Sequence, residues 1–308
     1  MKKLILLLLV IVGLSWRAEA QQDPMYTQYM FNQLVLNPAY AGSKDRLSAM
    51  LLYRTQWVGF EGAPKTTTFS IHTPFLKQNM AVGATFVNDE IGIANNLYFT
   101  GYYAYRLKLT ENTRLSFGLS AEMKRQQLSW SQANPLFQLD PNIPTGDPAR
   151  TLPNFGTGLY LDNDKYYIGF AVPRVIENNL DFTNGIGSLE SSAKQQRHYY
   201  LMGGFIMDVS KDVKFKPALL IKHTVNSPLE LDLNLSALFA ERLWLGMTFR
   251  TGDSFDVIAQ FVLDKMRIGY AYDYSLTKLN QFNSGSHEIM ITIEIDKKSK
   301  GVHHPRYF

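Results

Sequence analysis

Cysteine is absent from all 308 residues. That excludes disulfides, thiolate chemistry and a lipid anchor on an N-terminal cysteine. A strong charge of either sign is also missing: 31 Lys and Arg stand against 27 Asp and Glu. Such a chain has no basis for general nucleic-acid or polyanion binding. Past the first 20 residues, nothing approaches the ~20 apolar residues of a membrane helix, and the mean hydropathy is −0.16. Aromatics, by contrast, are abundant, with 17 Tyr and 19 Phe. A mildly polar average with many aromatics suits a membrane β-barrel, whose apolar outer and polar inner residues cancel in the mean. It suits a soluble β-sandwich equally.

The first 20 residues set the compartment. Met1-Lys2-Lys3 is basic, Leu4 to Leu14 is apolar, and Ala18-Glu19-Ala20 supplies small residues for a peptidase. This is the pattern of a secretory signal peptide over 1–20, with Gln21 as the expected mature start. Removing Lys2, Lys3, Arg17 and Glu19 leaves 28 basic and 26 acidic residues, a net of +2.

Periodicity decides between barrel and sandwich. From Arg114 to Lys124, odd positions are apolar and even ones polar or Gly; Leu229 to Phe239, Leu243 to Phe249, Phe255 to Leu263 and Ile289 to Ile295 repeat the alternation. Dyad patterning over about ten residues is the signature of a strand long enough to cross a bilayer at a tilt. Fourteen candidates are predicted, near 46–55, 64–74, 80–88, 97–109, 113–125, 152–162, 165–174, 197–209, 213–225, 228–239, 242–251, 254–264, 265–275 and 287–296. Tight polar connections such as Asp162-Asn163-Asp164 alternate with longer ones at 56–63, 89–96, 126–151, 175–196 and 276–286, apart from two short links near Asn226-Ser227 and Gly252-Asp253. Loops sorted by length to two sides mark an outer-membrane barrel. The expectation is therefore all-β: an antiparallel transmembrane barrel of about 14 strands over 46–296. An N-terminal periplasmic or plug segment (21–45) precedes it, a basic tail (297–308) follows, and both termini are periplasmic. On the polar parity, Arg106, Lys108, Arg114, Glu122, Lys124, Lys214, Lys216, Lys222, Glu230, Asp232, Asp256, Arg267 and Asp273 should face the lumen. Tyr166, Tyr167, Tyr199, Tyr200, Tyr270, Tyr272 and Tyr274 fall in part where aromatic girdles lie.

The stretch 21–42 is neither a good strand nor a good helix. Its Tyr26, Tyr29, Met30, Phe31, Leu34 and Tyr40 are costly to leave in water. They should pack into the barrel mouth, plug the lumen or bind a partner, while Asn32, Asn37 and Pro38 suit a chain that bends repeatedly.

Two blocks carry a resemblance. Asp23-Pro24, Tyr26, Gln28-Tyr29-Met30-Phe31-Asn32 and Leu36-Asn37-Pro38-Ala39-Tyr40-Ala41-Gly42 form the first; Tyr53-Arg54, Gln56-Trp57-Val58-Gly59-Phe60-Glu61-Gly62-Ala63-Pro64-Lys65-Thr66 form the second. Together they resemble the PorP/SprF family, outer-membrane proteins of the type IX secretion system, and Pro305-Arg306-Tyr307-Phe308 has the same look. The resemblance implies a non-enzymatic role in exporting or attaching large surface proteins, gliding adhesins among them, through their C-terminal sorting domains. It also implies contact with the periplasmic ring or peptidoglycan-associated proteins and with outer-membrane lipid. Tyr26, Tyr29, Phe31, Asn32, Asn37, Pro38, Tyr40, Arg54, Gln56, Trp57 and Phe60 are the candidate partner-binding residues, and the loops 126–151 and 175–196 are candidates for holding cargo outside.

Other readings have less to stand on. Asn37-Pro38-Ala39 is also similar to the hatch motif of outer-membrane fatty-acid transporters, so uptake of hydrophobic compounds is the alternative. Ser70 and His72 share a strand face without an evident acid, so no catalytic residues are assigned. His303-His304 lacks metal spacing, and Asp140-Pro141-Asn142 and Asp162-Asn163-Asp164 lack a spaced acidic set, so neither metal nor cofactor is expected. Lys297, Lys298, Lys300 and Arg306 make the tail a poor fifteenth strand; it is read as a disordered end or a reach toward an acidic partner.

Overall fold

The computed structural model describes residues 24–75, 79–132, 146–180, 194–225, 227–295 and 308. The leader, most of the tail and the centres of the 126–151 and 175–196 loops, Asp140 to Asn142 included, lie outside them.

The strands are β1 (Leu47–Thr55), β2 (Lys65–Phe75), β3 (Met80–Ile91), β4 (Ala94–Lys108), β5 (Arg114–Leu128), β6 (Ala149–Asp162), β7 (Tyr166–Val172), β8 (His198–Phe205), β9 (Met207–Asp208), β10 (Val213–Thr224), β11 (Glu230–Phe239), β12 (Leu243–Arg250), β13 (Ser254–Leu263), β14 (Met266–Ser275) and β15 (Ser286–Ile295). Interrupted at Ile206, β8 and β9 pair in turn with β10 and form one stave. Fourteen staves result, each antiparallel to its neighbours, and β15 pairs with β1 from Leu47↔Ile295 to Thr55↔His287. The barrel is closed. Closure leaves no strand edge, the condition for a sheet to sit in lipid.

The dyad pattern explains the two faces. In β15, Ile289, Ile291, Ile293 and Ile295 point outward and are exposed, while Glu288, Met290, Thr292 and Glu294 are buried inside. Leu119, Phe155, Leu235, Met247 and Phe261 continue the apolar outer band around the wall. Of the expected girdle residues, Tyr166, Tyr270 and Tyr274 are exposed, whereas Tyr167 and Tyr200 are buried on the opposite parity.

Connections at 109–113, 163–165, 209–212, 240–242 and 264–265 define a short-turn end. Those at 56–64, 129–148, 173–197 and 276–285 gather at the other, long-loop end. One expected loop is corrected. The 89–96 connection is a two-residue turn, Gly92-Ile93, because polar Asn88 to Glu90 and Asn95-Asn96 continue the β3–β4 ladder. Their side chains bond across it, Asn95 Nδ2 donating to Asn88 Oδ1 at 3.3 Å. Asp89 and Asn96 point inward and are buried, while Asn88, Glu90 and Asn95 lie on the outward parity, so polarity there marks strands that run on past the apolar band, not a loop.

Candidate functional site

Residues 24–46 run through the lumen as a strap. Short 3-10 turns at Tyr29–Phe31, Gln33–Val35 and Pro38–Tyr40 let it satisfy part of its own backbone. From Tyr26 to Lys44 every residue is buried except half-buried Val35.

The strap's direction departs from expectation. Both termini are expected on the short-turn side, yet Thr27 and Gln28 bond side chains at the long-loop ends of β1, β14 and β15, and Lys44 to Arg46 pair with side chains at short-turn strand ends. At the outer latch, the Thr27 and Gln28 backbone N–H groups each donate to the Glu288 carboxylate at 2.9 Å. The Thr27 hydroxyl bonds Asp273 at 2.7 Å and accepts from Arg54 Nη1 at 2.6 Å. Arg54 Nη2 pairs with Asp273 at 2.7 Å, with both side chains buried. Alongside, Arg250 pairs with Asp232 and Asp253 at 3.2 Å and donates to the Tyr26 carbonyl at 3.4 Å. At the inner latch, Glu294 gathers Lys44, Arg46 and Arg267 at 3.8, 3.3 and 2.9 Å, while Asp45 pairs with Arg106 and Arg114.

The wall is shaped to the strap between the latches. A Cβ at Gly118 would run into the backbone of Ala39, and one at Gly158 into the Asn37 side chain. These inward glycines give the chain room to approach the sheet. Asn37 Oδ1 accepts from the Ala39 N–H at 2.9 Å, capping the turn that Pro38 begins, while its Nδ2 donates to the Leu159 carbonyl at 2.9 Å. Gly42 N–H donates to His72 Nδ1 at 3.0 Å, and Tyr40 packs edge-on to the same ring. His72 thus helps hold the strap, and Ser70 faces Asn32. At the short-turn end the last residue also enters the lumen. Phe308 lies 5.0 Å from the Tyr167 ring, and the Lys216 ammonium sits 5.1 Å from both Phe308 and Phe31 and 5.5 Å from Trp244. The tail's end is therefore docked, not free.

A family model, type IX secretion system membrane protein PorP/SprF, matches residues 18–293. The chain belongs to this family. Curated protein sequences gave no match. Among solved structures, the PorP/SprF chain is similar to the CymD monoaromatic hydrocarbon channel at 10% identity and a TM-score of 0.51, with 90% of this chain and 95% of that one covered. A FadL homologue of Pseudomonas aeruginosa has 12% identity, a TM-score of 0.48 and coverages of 89% and 95%. Omp33 of Acinetobacter baumannii has 8%, 0.44, and coverages of 82% and 100%. At these identities likeness reaches the fold alone: the family places this barrel in the outer membrane, and the fold agrees.

Within this PorP/SprF barrel the candidate partner residues divide. Tyr26, Tyr29, Phe31, Asn32, Asn37, Pro38 and Tyr40 are all at most 9% exposed, so meeting a partner would require the strap to leave. Arg54 belongs to the outer latch. Gln56, Trp57 and Phe60 lie on the long-loop rim, where Phe60 is exposed. Their loop is clamped to its neighbour by Val58 N–H to the Gly285 carbonyl at 2.8 Å and Ser284 N–H to the Val58 carbonyl at 2.7 Å. Sequence reasoning missed Thr27, Gln28 and Asp45, whose partners are distant in the chain, and the inward glycines. After Asp162 ends β6, residues 163–165 make a tight turn, with Asn163 Oδ1 accepting from the Lys165 and Tyr166 N–H groups at 2.8 Å.

Proposed function

We propose that this protein is a non-enzymatic docking component of the type IX secretion system. It supports secretion or surface attachment of specific cargo through C-terminal sorting domains, and does not itself provide the passage. The observation that carries the reading is the filled lumen: strap and wall are tied at both ends and packed between. A segment latched this way suits a platform more than a conduit. Long loops face outside and short turns the periplasm, the ordinary asymmetry of such barrels. The C-terminal end then lies on the periplasmic side, within reach of ring or peptidoglycan-associated proteins. The strap begins at the outer mouth.

Uptake of hydrophobic compounds has less support. Apolar wall residues such as Leu52, Tyr160, Leu220 and Trp244 are covered by the strap, and ion-paired side chains lie at both of its ends, a poor path for an apolar solute.

The test compares a strain lacking the gene with one complemented by the wild-type chain, by quantitative proteomics of medium and cell surface. Loss of one or a few large proteins bearing C-terminal sorting domains, restored by complementation, is the expected result. An unchanged secreted set with reduced uptake of a hydrophobic compound would replace this reading with the transporter.

A further inference from the structure

Above the outer latch the strap leaves space unfilled. A cavity of about 450 Å³ opens there toward the long-loop side, with Pro24 and Met25 on its floor and Trp57 and Leu279 in its walls. Its charges are layered. Lys222 and Arg250 are only 5% and 2% exposed, and each is engaged in several ion pairs. Their outer partners Glu230 and Asp253 are 34% and 36% exposed. An incoming group therefore meets carboxylates first, beside apolar surface, with the strap closing the way down.

We propose that this vestibule binds a basic polypeptide segment, a lysine or arginine flanked by apolar residues, arriving from the long-loop side. The cationic tip would lie against Glu230 and Asp253, and the aliphatic stem and its neighbours against Trp57, Met25 and Leu279. A hydrocarbon would strip water from the exposed sides of those ion-paired carboxylates without replacing its hydrogen bonds, which is costly, and an anion would meet like charge. Trp57 is held for the contact: its backbone is in the left-handed region (φ 47°), fixed by a bond from its N–H to Ser286 Oγ at 3.1 Å. Arg250 joins the site to the strap, since it both lines the cavity and holds the Tyr26 carbonyl. The inference borrows the orientation proposed above but not the cargo role, so either can fail alone.

The absence of native cysteine makes a direct test possible. Met25→Cys in the full chain, purified in detergent, is labelled with a small neutral maleimide in the presence of one of four millimolar probes. These are acetyl-Leu-Lys-Leu-amide, acetyl-Leu-Glu-Leu-amide, octanoate and maltotriose. The lysine peptide alone should slow labelling, on the order of fivefold or more. A Glu230→Gln/Asp253→Asn double variant that still migrates as a folded barrel should lose that protection. Equal protection by the glutamate peptide, protection by octanoate or maltotriose, or protection by none overturns the proposal. In intact cells a membrane-impermeant maleimide should reach Met25→Cys as it reaches Phe60→Cys on the rim, and should miss Asp212→Cys in a short turn. Labelling of Met25→Cys only after the envelope is breached would place the vestibule inside and also sink the idea.

Discussion

The strap is fastened by different chemistry at its two ends. At the outer end it brings no charge of its own: two backbone N–H groups and the Thr27 hydroxyl serve Glu288 and Asp273 on the wall. At the inner end it brings Lys44, Asp45 and Arg46, and the wall supplies their counter-charges. The balances differ as well. In the outer network the buried carboxylates Asp232, Asp256, Asp273 and Glu288 outnumber Arg54, Lys222 and Arg250; in the inner one Lys44, Arg46, Arg106, Arg114 and Arg267 outnumber Asp45, Asp162 and Glu294. An excess of buried carboxylates needs donors that carry no counter-ion, and uncharged N–H groups are such donors. The outer wall therefore depends on the strap more than the inner wall does.

Removing the strap altogether gives the largest expected effect. Deletion of residues 24–43 should turn a barrel with no steady conductance in planar bilayers into one with resolved open steps, and should lower its unfolding temperature. A deleted barrel that still folds but stays closed would show that something other than the strap fills the lumen.

Next comes the cation of the outer latch. Arg54→Ala leaves Asp273 and Glu288 buried beside one another without their arginine, a loss of about 3–5 kcal/mol for a buried pair broken on one side. Both carboxylates are nearly inaccessible to solvent, so water can relieve little of it. Unfolding followed by urea titration in lipid reads the difference. A loss below about 1 kcal/mol would mean that the strap's N–H groups suffice alone, erasing the contrast between the ends.

These ends were unequally legible in the sequence. The fourteen staves follow from local alternation, since the period of two is written within each strand. Aromatic density from Tyr26 to Tyr40 correctly marks a buried segment. Its direction could not be read, because it rests on pairings such as Thr27 with Asp273 and Glu288, some 250 residues apart. The inward glycines had a signal that went unused: Gly118 and Gly158 occupy the inward parity of long strands, where a missing side chain means another backbone comes close. At 89–96 local reasoning erred in the opposite sense, since strand ends that extend past the apolar band are polar on both faces and look like a loop.

The glycine track gives intermediate effects. Gly118→Val would push a side chain into the Ala39 backbone, an overpacking cost of about 1–3 kcal/mol that displaces the strap's middle and should bring intermittent conductance. Asn37→Ala loses the cap on Ala39 and the bond to Leu159 together, about 1–2 kcal/mol by the same urea assay. If the glycine variant conducts and the asparagine variant does not, shape holds the strap's middle more than hydrogen bonding does.

The smallest effect is expected at the inner end, from Arg46→Ala. Arg46 is 21% exposed and shares the Glu294 carboxylate with Lys44 and Arg267. Removing it leaves that carboxylate with two cations and water within reach, so the loss should fall near 0–1 kcal/mol and shrink further in high salt. The same substitution type thus separates the ends: an arginine serving an anion-rich buried latch against one of several cations around a single carboxylate. Equal losses for Arg46→Ala and Arg54→Ala would mean that exposure and charge balance do not set the latch strengths, and the asymmetry of the strap would have to come from packing alone.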